Sequence, residues 1–408
     1  MFSLITPAQA RASAQPIGLT EVLALFYQRN LDLIAAHYEI DQARAQEVIA
    51  AAVPNPVFGV SLSELDATRY GGNNGAGPAT GIGVSQLLET AGKRRLRMAS
   101  SALGTASAEE DLRDATRTLS AAVLHAYYAL LLAQKNTEVA VEGVTRYARL
   151  VTANELRLRH GDVAQADVLR LKVEAFKARA NLLTVQAAQE QARTQIASLL
   201  RWPPGAMEFE ARDDWPQPIA NDDREALYTL AVTQRPDLRA ARKRGAQAEV
   251  DLRLAKRTAV PDVTVGVGFS HDPNNVNPNT ANLNVSVPLP LFYRNEGEIQ
   301  KAAVAVSGAE LQVQQLEQSI RAEVITGHAS WRSADTIARG FEGEVLDQVR
   351  QIRDGAELSY LKGASSILDL LDAQRDYKDV MLQYQSALYD RAIGEVDLKT
   401  ITGTGIQP

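Results

Sequence analysis

Apolar and polar positions follow two different periods along this chain, and the change of period marks its elements. Over Leu112, Ala115, Leu119, Ala122, Ala126, Ala129 and Ala133 the apolar steps alternate three and four. Val306, Ala309, Val313, Leu316 and Ile320 do the same. Such steps lay a seam along one helix face, as in a coiled coil. Most of the first seam is alanine, so a neighbouring helix can come close. No proline falls between Pro78 and Pro203, or between Pro290 and Pro408. A proline inside a helix costs roughly 3 kcal/mol or more, so each stretch is free to be very long. Gly161 and Gly363 interrupt the two stretches and predict a helix–turn–helix hairpin in each. An arm of ~60 residues would reach about 90 Å at ~1.5 Å per residue, more than a compact domain spans.

Elsewhere the period is two. In "PDVTVGVGFS" (261–270), Val263, Val265, Val267 and Phe269 alternate with Thr264, Gly266, Gly268 and Ser270. Next, Leu283, Val285, Val287 and Leu289 alternate with Asn284 and Ser286. In "PNPVFGVSLS" (54–63), Phe58, Val60 and Leu62 alternate with Gly59, Ser61 and Ser63. One apolar face and one small or polar face is the pattern of a membrane β-barrel strand of ~9–11 residues. A half-buried strand of a soluble sheet has the same pattern. The linkers favour the membrane reading: 64–79 and 271–281 are polar and rich in Gly, Asn and Pro, as extracellular hairpin loops would be.

The two strand segments lie half a chain apart, and other segments recur in the same order. "GVSQLLETAGKRR" (83–95) matches "NVSVPLPLFYRNE" (284–296), and "LRHGDVAQADVLRLK" (158–172) matches "YLKGASSILDLLDAQ" (360–374). Near 30–56 and 236–262, Asp32, Leu33, Ala35 and Ala36 pair with Asp237, Leu238, Ala240 and Ala241 at one offset. Internal duplication is expected. The first repeat covers 19–213, with a helix, strands at about 56–66 and 80–90, and a long hairpin with its tip near Gly161. The second covers 214–408, with a helix, strands at about 261–271 and 281–291, a hairpin with its tip near Gly363, and a C-terminal equatorial segment. Residues 1–18 read as a signal remnant, on the A-x-A patterns Ala10–Ala12 and Ala12–Ala14, or as a disordered N-terminus. Each repeat supplies one hairpin, four strands in all. Four strands cannot close a membrane barrel, and an open edge cannot face lipid. Several copies must share one barrel, with cyclic symmetry as the natural closure.

Composition narrows the chemistry. The chain has 408 residues, no cysteine and a net charge of −6. That excludes disulfides, thiolate metal sites and Cys nucleophiles, and disfavours nucleic acid as a partner. No run approaches the ~20 apolar residues of a membrane helix; "VLHAYYALLLA" (123–133) is too short. His37, His125, His160, His271 and His328 lack partners at a recognised ligand spacing, so no structural metal site and no cofactor is expected. No nucleophile–base or paired-carboxylate constellation points to an enzyme. "GKRRLR" (92–97) is a basic run that fits a solvated helix start, a role near the periplasmic membrane surface, or the end of a strand.

Duplicated strand hairpins set between long helical hairpins, with a Gly-x5-Asp turn in each copy, resemble the TolC-type outer-membrane efflux channels. The resemblance runs from about Leu19 to Thr400. "PNP" (54–56) and "SQLLETAGKRRLR" (85–97) resemble the cobalt–zinc–cadmium branch. The resemblance implies a membrane α+β fold: a homotrimer whose 12 strands form a barrel in the outer-membrane lipid. A long α-helical barrel continues it across the periplasm. "RWPPGAMEFEARDDWPQP" (201–218) and the C-terminal tail would belong to an equatorial girdle. A periplasmic adaptor (membrane fusion) protein would dock at the tips and join the duct to a proton-driven inner-membrane pump of the RND type. It also implies residue roles. Asp167, Asp369 and Asp372 match the acidic residues that constrict the aperture, where three copies of each would form charged rings. Ser365 stands where the family carries a basic gate partner, and Arg170 is the candidate substitute. Leu158, Gly161, Val163 and Ala164 on one tip, and Tyr360, Gly363, Ser365 and Ser366 on the other, match the adaptor-contact segment. The tip aspartates also fit helix N-terminal carboxylates, and the glycines also fit plain helix ends.

The function expected is a passive exit duct for divalent heavy-metal cations. Drug efflux or protein secretion by the same channel type is the first rival. A soluble periplasmic coiled-coil tether is the second.

Overall fold

The computed structural model describes residues 15–63, 77–202, 209–216, 223–273 and 275–404. The first half contains β1 (Gln15–Ile17), α1 (Leu19–Arg29), α2 (Leu31–Ala51), β2 (Val57–Ser63), β3 (Ala79–Leu88), α3 (Lys93–His160), α4 (Gln165–Leu199) and β4 (Phe209–Ala211). The second contains α5 (Arg224–Gln234), α6 (Pro236–Thr258), β5 (Val263–His271), β6 (Asn279–Ser286), α7 (Glu296–Gly340), a π-helical turn (Phe341–Val345), α8 (Leu346–Leu361) and α9 (Ile367–Thr402). Both halves thus carry two helices, a strand hairpin and a helical hairpin in the same order. The described chain forms two compact units. One takes in the residues up to Ala35, then Arg113–Arg235 and those from Glu317; the other takes in Ala36–Leu112 and Pro236–Leu316.

The second unit holds a four-stranded sheet of order β2-β3-β5-β6, antiparallel throughout. The two strand hairpins therefore lie side by side, joined through β3 and β5. Register gathers the alternating residues onto faces. Phe58 pairs with Val84, Val84 with Val267 and Val267 with Leu283; Val60 pairs with Ile82 and Ile82 with Phe269. These rows make one apolar face. The other carries Gly59, Gly83, Gly268 and Asn282 in one row, and Ser61, Gly81, Ser270 and Thr280 in the next. Side chains on the apolar face, Val60, Ile82, Phe269 and Leu283 among them, are exposed. Among the described residues no helix covers this face, as in a sheet built to face lipid. Among the described residues, β2 and β6 pair on one side only.

The first unit is mostly helical. No described helix is long and apolar enough to cross a membrane. Around Ala121–Ala133, α3 is buried on nearly every side. Most of the expected alanine seam is covered there, Ala126 and Ala133 being buried and Ala129 half-buried, but Ala122 is exposed, and Val123, Tyr127 and Leu130 off the seam are fully buried as well. β1 and β4, paired in parallel, and the start of α1 account for the extra cover. The Tyr127 hydroxyl donates to Asp213 at 2.9 Å and lies 3.2 Å from the Ile17 carbonyl. Asp213 also accepts from the Leu19 N–H at 2.5 Å. Burial pushes the Tyr128 phenol up to about 12, so it stays neutral.

The second arm keeps its seam. Burial follows Ile320, Val324, Trp331, Ala334 and Ala338 in steps of three, four and seven, with half-buried Gly327 between. After the π turn it resumes at Val349, Arg353 and Tyr360, one residue out of step.

Candidate functional site

Both helical hairpins turn in the same way. At the first tip Gly161 has φ +84°; its N–H reaches the Leu158 carbonyl at 3.1 Å, and the Asp162 N–H reaches Arg157 at 3.0 Å. At the second, Gly363 has φ +76°, and the Gly363 and Ala364 N–H groups reach Tyr360 and Ser359 at 3.0 and 2.8 Å. This is a Schellman end, with glycine at the left-handed position that side chains disfavour. α9 then starts on a capping box. The Asp369 N–H donates to the Ser366 hydroxyl, and the Asp369 carboxylate accepts from the Ser366 N–H at 2.9 Å and its hydroxyl at 2.8 Å. Those bonds hold the Asp369 carboxyl below the usual carboxylate range.

The gate residues named from the sequence sit in the first turns after the tips. Asp167 lies 3.5 Å from Arg170 on its own helix. Asp372 lies 3.3 Å from Arg375, a partner the sequence reading did not name. Asp369 and Asp372 are exposed, and Asp167 is half-buried. Of the residues matched to docking, Gly161, Ala164, Gly363 and Ser366 are exposed, and Leu158, Val163 and Ser365 are half-buried.

Tyr360 departs from that expectation. It is only 5% exposed and sits in a cluster with Leu150, Leu171, Ile367, Leu370 and Leu371. Its hydroxyl donates to the Asn154 Oδ1 at 2.6 Å. Asn154, fully buried, is fixed by a bond from its amide to the Leu150 carbonyl. The aromatic ring thus faces the other hairpin instead of a docking partner: it ties α8 to α3. Asn154 lies mid-helix with no flanking motif, so nothing in the sequence singles it out.

Behind this bond lies a layer of charge. Arg353, 7% exposed, reaches Glu142 at 3.1 Å and Asp354 at 2.9 Å, and its guanidinium stacks 3.7 Å from the Tyr377 ring centre. Arg146 binds Glu357 at 2.8 Å and Glu142 at 3.1 Å. The Tyr377 hydroxyl donates to Glu142 at 3.3 Å. Glu142 and Arg146 come from α3, Arg353 and Glu357 from α8, Tyr377 from α9. The network joins the two hairpins and satisfies a buried guanidinium.

The basic run has an internal role. Arg94 donates to the Ala51 carbonyl at 2.7 Å, Arg97 donates to Ala52 at 3.5 Å, and Gln86 donates to Pro54 at 2.7 Å. These close the C-terminal end of α2, whose last carbonyls lack helical donors. Arg97 also pairs bidentately with Glu89 and lowers that carboxyl's pKa. Lys93, 6% exposed, donates to the Val260 carbonyl at 2.6 Å and to Asp262 at 2.8 Å. The Thr90 N–H donates to Asp262 at 2.7 Å, and its hydroxyl to the Pro261 carbonyl at 2.6 Å. The exit from β3 is thereby bolted to the approach to β5.

Histidines make ordinary contacts. His125 meets Asp397 at 2.9 Å, and His271 meets Asn279 at 2.8 Å. Among the described residues no group of three His, Asp or Glu converges to hold a metal ion.

The sequence profile for the outer membrane efflux protein family matches residues 22–200 and 227–404. The chain is 24% identical to the cobalt-zinc-cadmium resistance protein CzcC of Cupriavidus metallidurans, over 94% of this chain and 89% of that protein. It is 22% identical to the pyoverdine export outer membrane protein OpmQ of Pseudomonas putida, over 97% of this chain and 88% of that protein. In structure it resembles the outer-membrane channel OprN with a TM-score of 0.79 at 21% identity, over 96% of this chain and 91% of that one.

Proposed function

The chain belongs to the outer membrane efflux protein family and resides in the outer membrane, and we propose that it is the passive exit duct of a tripartite efflux system with divalent heavy-metal cations as cargo. One observation carries this: a sheet with an uncovered apolar face, an uncharged small-residue face, and two strand edges left open. Open edges in lipid leave backbone donors and acceptors unsatisfied at several kcal/mol each, so the barrel must close between copies. Three copies give 12 strands. A second feature supports assembly. On α4, Leu169, Val173, Phe176, Ala180, Leu183 and Ala187 form an exposed coiled-coil seam, steps four and three, that no other described residue covers. The repeated element order and the two family-profile matches support an internal duplication over 19–213 and 214–408. The stretch 1–18 is not a leader or disordered tail throughout, because Gln15–Ile17 is a strand paired with β4, and residues 1–14 lie outside the described residues.

In this reading the small-residue face lines the outer lumen. It offers Ser, Thr and Asn groups and no charge, so cations pass without being held. Selection then falls to the pump, and closure to the helical tips. There Asp167, Asp369 and Asp372 from three copies form the acidic constriction, with Arg170 and Arg375 as local counter-charges. The Tyr360–Asn154 bond and the Arg353 network hold the second hairpin against the first. Adaptor docking on Leu158, Gly161, Val163, Ala164, Gly363, Ser365 and Ser366 pulls the hairpins apart. The runner-up, export of a small organic molecule, draws on the likeness to the pyoverdine exporter.

Two experiments decide. Single-channel recording in a planar bilayer is expected to show low conductance for the native protein and a several-fold rise for Tyr360→Phe. An unchanged current removes the latch. A strain lacking the gene is expected to become sensitive to cobalt, zinc or cadmium. Sensitivity confined to organic toxicants replaces the metal reading by the runner-up.

A further inference from the structure

The loop that leaves β6 is exposed and apolar. Leu289, Leu291, Phe292 and Tyr293 are all exposed, Phe292 completely. Pro288 and Pro290 have no N–H, and the Leu291 N–H is already bonded to the Leu289 carbonyl at 2.9 Å. The segment makes little demand on water and shows its apolar side chains outward.

Its counterpart in the first half behaves otherwise. The exit from β3, residues 89–93, is bolted to the approach to β5 through Thr90, Lys93, Val260, Pro261 and Asp262. In the sheet all strands run antiparallel, so the approach to β2, the exit from β3, the approach to β5 and the exit from β6 lie at one end. Among the described residues only the β3–β5 step is completed within the chain. The exit from β6 and the approach to β2 stand at opposite edges, each without its mate. The approach to β2 is also exposed and apolar: Val53 is 59% exposed, and Val48 and Ile49 at the end of α2 are exposed. Arg94, Arg97 and Gln86 fix the backbone there, so this surface is rigid. By position Val53, Pro54 and Asn55 correspond to Val260, Pro261 and Asp262, and Leu291, Phe292 and Arg294 to Thr90, Ala91 and Lys93.

We propose that the 287–294 loop of one protomer seats on the Val48–Asn55 segment of the next, repeating across the subunit boundary the contact that β3 makes with β5 inside it. The occupant is a second copy of this chain. Leu291 and Phe292 cover Val53 and Pro54, and Arg294 reaches the Val53 carbonyl and the Asn55 amide oxygen, as Lys93 reaches Val260 and Asp262. The polar bolt inside the chain is mostly greasy between chains. The inference rests on the closed three-copy barrel proposed above.

The chain has no cysteine, so one pair can be placed cleanly. The full chain carrying Val53→Cys and Phe292→Cys is purified in detergent, sized, then oxidised. The expected result is a three-copy particle that becomes a covalent ladder of two and three chains, with neither single variant giving one. A three-copy particle with no ladder overturns this contact and leaves the trimer standing. If the unoxidised chain sizes as a single copy, the trimer itself falls and the contact with it. A spin label at Phe292→Cys reads the surroundings directly. Low access to both oxygen and a water-soluble nickel chelate is expected. High oxygen access marks lipid and high chelate access marks water, and either overturns the proposal.

Discussion

Lys93 shows how much one side chain can carry at the junction of strand and helix. It is almost fully buried and divides its ammonium between the Val260 carbonyl and Asp262. Lys93→Met leaves Asp262 short of its counter-charge, and a loss of about 3 kcal/mol is expected in chemical melts. Adding Asp262→Asn restores part of it, because the unpaired charge is gone. Acid acts through the same pair. Burial alone would raise the Asp262 carboxyl, but the Lys93 and Thr90 bonds outweigh it and set it below its ordinary value. Glu89 is lowered by Arg97. Both contribute stability that is present above ordinary carboxylate pKa values, near 4, and is lost as pH falls through the lowered values. Melting temperatures should therefore drop below about pH 4, and Lys93→Met should flatten that drop. "GKRRLR" is legible as a charged run, but its partners are not. They are mainly backbone carbonyls at Ala51, Ala52 and Val260, and a carbonyl leaves no mark in a sequence. The Tyr360 error has a related cause: a tyrosine beside a tip glycine reads as surface until Asn154 is seen behind it.

At the scale of the element, the π turn settles a geometric mismatch. A seam of threes and fours averages 3.5 residues per turn, while a straight helix has about 3.6. The packed face therefore drifts by roughly 20° per heptad, or about one residue over the five heptads before Phe341. One extra residue in the Phe341–Val345 turn returns Val349, Arg353 and Tyr360 to the packed face. Inserting an alanine after Gly343 gives the turn a second residue to absorb and should swing everything beyond it by about 100° and strip slow hydrogen exchange from α8 and α9. Gly343→Ala is the control. A Cβ there meets nothing within 4 Å, so a gain of up to about 1 kcal/mol is expected instead. The alternation at Val263, Val265, Val267 and Phe269 was plain in the sequence because each face of the sheet has one environment. The joining of β3 to β5 was not. Residues that pair across the whole first helical hairpin fit several registers equally well.

For the whole molecule, the question is what its uncovered surfaces await. The α4 seam looks in the sequence like any packed helix face. Only its exposure shows that no other described residue covers it. Phe176→Asp with Leu183→Asp should dissociate the assembly on sizing in detergent, while far-UV circular dichroism stays unchanged, since neither side chain supports its own protomer. That four strands in lipid would need companions follows from backbone hydrogen bonding alone. Which surfaces such companions would cover does not. The two unlike rims of the sheet carry a genetic consequence. A protomer damaged at β2 alone still offers a sound β6, so it can join a growing ring and then leave a gap that nothing fills. Co-expressed in equal amount with the native chain, it would leave only about one ring in eight intact if three protomers combine at random. Such an allele should poison transport out of proportion to its abundance.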